Sequence, residues 1–77
     1  MTPRLPAANA RRTIRALERA GFEERRKSGS HRLLVHSEEP SRMVVVPFHG
    51  SKDLKAGTLR SIVRQAGLTV DEFLDLL

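Results

Sequence analysis

The chain contains no cysteine, no tryptophan and no tyrosine, and phenylalanine occurs only three times. Without thiols there is no disulfide staple and no thiolate zinc site, which fits a reducing cytoplasm. With so few aromatics, a stacking platform for single-stranded bases is not expected. No apolar run approaches the about 20 residues of a spanning helix, and nothing reads as a secretory leader, so no membrane partner is expected. Internal repeats and low-complexity stretches are also missing. What remains is 77 residues, expected to form a single domain over 1–77. A domain of this size buries only about 60% of its unfolded surface, so its stability should be modest.

Cationic charge is plentiful. The formal net charge is +5 and the isoelectric point is ≈ 11.1, values that fit a polyanionic partner. The distribution is uneven. Residues 1–36 carry nine Lys/Arg and three Glu, whereas residues 65–77 carry three acids and no Lys/Arg. No segment combines a basic face with aromatic anchors, which argues against a membrane surface as the attractor.

Residues 1–8, with Pro3 and Pro6, lack periodicity and read as an irregular lead-in. Asn9 is a plausible N-cap for a first helix over 10–20. Ala10, Ile14, Leu17 and Gly21 follow one face, Gly21 ends the helix, and Arg11, Arg12, Arg15 and Arg19 lie mostly off that face. Those arginines are either a solvated face or a nucleic-acid contact. Residues 22–28 show no alternation. They read as a strand only because a Ser-Gly-Ser turn and an apolar run follow, as in a hairpin. A second strand covers 31–36, with His31, Leu33 and Val35 on one face and Arg32, Leu34 and His36 on the other. Neither face is cleanly polar, so the pattern leaves open which is buried. The third strand, 42–46, contains three consecutive valines and stops at Pro47.

A second helix spans 56–66, with Leu59, Ile62, Val63 and Ala66 as its buried stripe. Thr69 and Glu72 then form a capping box, with Leu68 and Phe73 placed as a hydrophobic staple, for a third helix over 70–76. The order α-β-β-β-α(-α) predicts a small two-layer α+β domain with a three-stranded antiparallel sheet. Ile14, Leu17, Leu59, Ile62 and Val63 should pack on one face of that sheet, leaving the other open to a partner.

The stretch that carries chemistry is Gly29-Ser30-His31. A turn glycine followed by a strand holds an imidazole on a rigid element, and Arg25, Arg26, Lys27 and Arg32 surround it in sequence. Imidazoles titrate near pH 6.5 in reference peptides and can both take and give a proton near neutrality. With phosphate-attracting cations alongside, this suits phosphodiester chemistry on RNA, where one proton leaves a 2′-hydroxyl and another goes to the leaving oxygen.

Gly29-Ser30-His31, then Val46-Pro47-Phe48-His49, then the long run from Lys52-Asp53-Leu54-Lys55 to Gln65-Ala66-Gly67-Leu68, resemble the HicA toxin family. Ala16-Leu17-Glu18-Arg19-Ala20-Gly21-Phe22 also looks like that family's first helix and strand entry. The likeness covers nearly the whole chain from about Asn9. It implies a fold similar to double-stranded-RNA-binding domains and the activity of a metal-independent mRNA interferase in a type II toxin–antitoxin pair. The antitoxin would be of the HicB type, in a possible hetero-oligomer. The family's catalytic histidine corresponds to His31. The family has an aromatic where this chain has Leu34, which implies that Leu34 faces the core and that His31, Leu33 and Val35 turn outward together. Leu33 and Val35 are then candidate antitoxin contacts.

The expected site is therefore His31 for proton transfer, with Lys27, Arg32 or Lys52 stabilising charge on the phosphorane. Lys52, Lys55 and the start of the second helix are candidates for phosphate contact. No cofactor and no metal are expected, because no carboxylate or thiolate has ligand spacing with His31, His36 and His49. His36 and His49 are expected to be structural or solvent-facing. Two rivals stand beside this reading. A helix-turn-helix over 60–77 would present Asp71, Glu72 and Asp75 to DNA phosphates, which is unfavourable. A non-catalytic RNA-binding domain explains the charge equally well, and only an activity assay separates it from the toxin.

Overall fold

The structure is a computed structural model and describes residues 4–77. The elements run α1 (Ala10–Arg19), β1 (Phe22–Ser28), β2 (His31–His36), β3 (Met43–Pro47), α2 (Ala56–Gln65) and α3 (Val70–Leu76). The strands form one antiparallel sheet in the order β1-β2-β3. This is the small α+β arrangement that the pattern predicts, and it fits the double-stranded-RNA-binding-domain-like fold that the resemblance implies. Of the irregular lead-in, residues 1–3 lie outside the described residues, and residues 4–8 adopt no regular secondary structure.

The local chemistry explains the boundaries. Asn9 caps α1 by accepting a hydrogen bond from Arg12 N at 2.9 Å, which satisfies one of the free N–H groups at the helix start. At the other end Gly21 adopts φ 99°, a conformation that side chains resist. Thr69 and Glu72 form the reciprocal capping box at α3. β3 starts at Met43 and includes Pro47, one residue later at each end than the sequence suggests. Pro47 is tolerated because β3 is an edge strand, and it pairs with His31. The side chain of Arg42 turns away to donate to Ala66 O, with Nε at 2.9 Å, closing the C-terminal end of α2. Ala66 is the C-cap of α2 rather than its last residue.

The interior has two parts. Ile14 and Leu17 of α1 and Ile62 of α2 pack with Phe22, Leu34, Val44 and Val46 on one face of the sheet. Leu59 and Val63, expected against the sheet, belong instead to a second cluster with Ala16 and Phe73. The apolar stripe of α2 is wide enough to serve two neighbours, and α3 takes the flank turned away from the strands. Leu34 is fully buried, which fixes the orientation of β2.

A β-bulge between Glu24 and Arg26 explains the missing alternation in β1. Phe22 and Glu24 point to the helix side, opposite His36 and Leu34. The extra residue at Arg25 resets the phase, so Arg26 lies opposite Leu33 and Lys27 opposite Arg32.

Candidate nucleic-acid interface

His31 is the first residue of the central strand β2 and is exposed. The two-residue turn Gly29-Ser30 precedes it, with Gly29 at φ 57°. Across the sheet it faces Ser28 of β1 and Pro47 of β3. Leu33 and Val35 follow on the same face, half-buried. Opposite them are Val45 and Met43, which remain 47% and 53% exposed. The helix-free face therefore bears an apolar strip of four side chains with an imidazole at one end. Three consecutive valines hid one member of this strip from the sequence pattern, since Val45 alone of the three points outward.

His36 has a different environment. It is buried, its ring meets Phe22 edge-on at 5.1 Å, and all its hydrogen-bonding capacity is used. Nδ1 accepts from the backbone N–H groups of Glu38 and Glu39 at 3.1 and 3.2 Å. Nε2 therefore carries the ring proton and donates it to Ala20 O at 3.1 Å. This histidine ties the end of β2 to the α1–β1 turn.

Beside Pro47 lies a groove of ≈ 590 Å³, lined by His49, Lys52, Asp53, Lys55 and Thr58 among others. Lys55 is the N-cap of α2. No side chain caps this helix, and its first turn holds no acid, so its partial positive charge is unopposed. Asp53 makes no ion pair with either lysine among the described residues; its backbone instead bridges to Asn9. Pro47 lines this groove and pairs with His31, so the strand end that carries the imidazole adjoins the groove, whose lining does not include His31. His49 and Thr58 share the groove with the two lysines, and only the folded loop shows this.

The remaining candidate cations lie elsewhere. Arg32 is next to His31 in sequence but projects to the helix side. There it approaches Glu24 at 3.5 Å, and its guanidinium carbon lies 4.5 Å from the centroid of the Phe48 ring. Lys27, paired with Arg32 across β1 and β2, lines the same helix-side recess. The sheet thus turns Lys27 and Arg32 to the face opposite His31, while Lys52 and Lys55 line the groove that begins at Pro47. Arg26, part of the basic run around His31 but not among the expected phosphate contacts, is the β1 cation that the bulge places on the open face.

Among the described residues, no three His, Cys, Asp or Glu side chains come together as metal ligands. No described helix is long and apolar enough to cross a membrane. The fold and the exposed face define a small basic α+β protein of the double-stranded-RNA-binding-domain-like class. A family model described as the HicA toxin of bacterial toxin-antitoxin matches residues 10–68, well over half of the chain, and the protein belongs to that family. Among curated proteins nothing matches the chain. Membership makes this a toxin-antitoxin toxin and implies a cognate antitoxin.

Proposed function

We propose that the protein acts as an mRNA endoribonuclease in which His31 transfers the protons, and that a HicB-type antitoxin neutralises it by covering the open sheet face. The observation that supports this most is the contrast between two histidines on one strand. His36 is enclosed with both ring nitrogens committed, whereas His31 is exposed on a rigid strand opposite Pro47, which lines a groove with two lysines.

In the reaction, the neutral His31 imidazole takes the proton of a ribose 2′-hydroxyl. The 2′-oxygen attacks the adjacent phosphorus, and the 5′-oxygen of the next nucleotide leaves, accepting a proton from the imidazolium. The products are a 2′,3′-cyclic phosphate and a 5′-hydroxyl, and the histidine is regenerated. Lys52, Lys55 and the start of α2 stabilise the negative charge that builds on the phosphorane. Acid–base catalysis by one residue is worth about 10²–10⁴-fold, enough for a toxin that needs few cuts per message. The antitoxin packs on Leu33 and Val35, a strip that water solvates poorly in the free protein.

The test is induced expression of the parent and of His31→Ala in cells, scored for growth arrest and message decay. The parent arrests growth and degrades messages, and His31→Ala does neither. Equal toxicity from both would remove His31 from the mechanism. RNA binding without cleavage by the parent would leave the non-catalytic reading.

A further inference from the structure

A second cationic recess, of ≈ 300 Å³, lies on the helix side of the sheet. Arg11 and Arg15 of α1, Lys27 of β1 and Arg32 of β2 border it, together with Glu18 and Glu24. Four cations thus meet two carboxylates. Glu24 is engaged by Arg32. Arg11, Arg15 and Lys27 have no carboxylate within 4.0 Å among the described residues. The Arg32 side chain makes one hydrogen bond, to Glu24 at 3.5 Å, and its Nε is buried without a partner. A guanidinium carries five donors, so this one is held in place by Glu24 with its buried Nε still free to donate.

A chain of neighbouring residues links this recess to the groove beside Pro47. Arg11 also borders a smaller hollow with Asn9, Gly50 and Ser51. Gly50 and Ser51 sit between His49 and Lys52, which line the His31-side groove. The backbone holds these parts together through the Asn9–Asp53 bridge and the hydrogen bond from Leu54 N to Ala8 O at 2.9 Å. Positive charge therefore runs from Lys27, Arg15 and Arg32 past Arg11, over the loop at 49–52, to Lys52 and Lys55.

We propose that Arg11, Arg15, Lys27 and Arg32 form a second phosphate-binding subsite, which holds a flanking part of the RNA strand whose scissile phosphate lies beside His31. The inference rests on the ribonuclease reading. Phosphate is the ligand because the only aromatic ring there, Phe48, is already covered by Arg32, leaving no face for a base to stack on. The antitoxin is the poorer fit, since four cations border the recess and the exposed large hydrophobics, Met43 and Val45, do not. Recognition at this subsite is electrostatic and independent of sequence.

The test compares full-length His31→Ala with the same chain carrying Arg11→Gln and Arg15→Gln. Binding of a labelled single-stranded RNA of about 12 nucleotides and of a trinucleotide is measured across a salt series. Both arginines are exposed, so melting temperatures should agree. The subsite predicts that the longer RNA loses roughly tenfold in affinity and that its salt slope shrinks by about 1.4, two contacts at about 0.7 each. Most of the advantage of long over short RNA disappears, and Arg11→Lys with Arg15→Lys restores the slope. Equal affinity and slope in the Gln variant, with RNA still bound by the His31→Ala chain, overturns the subsite alone. If the His31→Ala chain binds no RNA of either length, the subsite and the ribonuclease reading fall together.

Discussion

His31 and Arg32 are neighbours in the chain and project to opposite faces of β2, His31 into solvent and Arg32 against Glu24 and Phe48. Strand alternation makes this unavoidable. The charge of Arg32 is thereby turned away from the imidazole. Further positive charge lies across β3, where Pro47 lines the groove of Lys52 and Lys55. The lysines beyond Pro47, rather than Lys27 and Arg32, are therefore the residues to pair with His31 in experiments.

The α1–β1 turn depends on the space at Gly21. A Cβ there would stand 2.9 Å from His36 Nε2, on a backbone at φ 99°. Gly21→Ala should cost about 2–3 kcal/mol, combining strain with displacement of the His36 bond to Ala20. Gly29 also has positive φ, but a Cβ there meets nothing within 4 Å, so Gly29→Ala should cost about 1 kcal/mol. Urea denaturation of the two variants checks the order. Equal losses would mean that contact with His36 contributes nothing.

The open apolar strip should matter to the partner and little to the fold. Leu33→Ser is expected to weaken antitoxin binding by about tenfold or more, roughly 1.4 kcal/mol, while stability changes by less than about 1 kcal/mol. Titration calorimetry with the cognate antitoxin, alongside a thermal melt, separates the two effects. Unchanged affinity would place the antitoxin elsewhere.

Acid should loosen α3. Glu72 is held below its ordinary value, first by accepting the Thr69 backbone N–H and then by its bond with the Thr69 side chain, with a smaller contribution from Arg42. The folded carboxyl thus titrates below the unfolded one. Its stabilising effect is complete above the usual carboxylate range and is lost as pH falls from there through the lowered folded value. Glu72→Gln should therefore be less stable than the parent at about pH 7 and should approach it at about pH 3. Denaturation midpoints across that window test this. Parallel acid profiles would show that the capping carboxylate does not contribute.

The groove lysines should act on RNA rather than on folding. Lys52→Gln with Lys55→Gln removes two exposed charges. RNA affinity should fall, and the salt slope should shrink by about 1.4, with little change in melting temperature. A slope equal to the parent's would show that neither lysine meets phosphate.

Much of the fold was legible because it is written in local chemistry. Asn9, Gly21, Thr69 and Glu72 mark helix ends by satisfying or releasing backbone groups, and they act within a turn of themselves. The faces of the sheet were less legible. β1 carries its bulge at Arg25 without a glycine or proline to announce it, so Lys27 seems to share a side with His31 when it does not. β2 is apolar on both faces, and burial of Leu34 decides which one packs. The groove at Pro47, His49 and Lys55 depends on a loop whose path is fixed by backbone contacts to Ala8 and Asn9, far away in sequence. No periodicity encodes such contacts.

The most direct test is cleavage of one RNA by the purified parent and by His31→Ala under single-turnover conditions, with both proteins shown to melt alike. The parent should cut, leaving 2′,3′-cyclic phosphate ends, and His31→Ala should be slower by at least about 10²-fold. Cleavage by His31→Ala at the parent's rate would contradict the account.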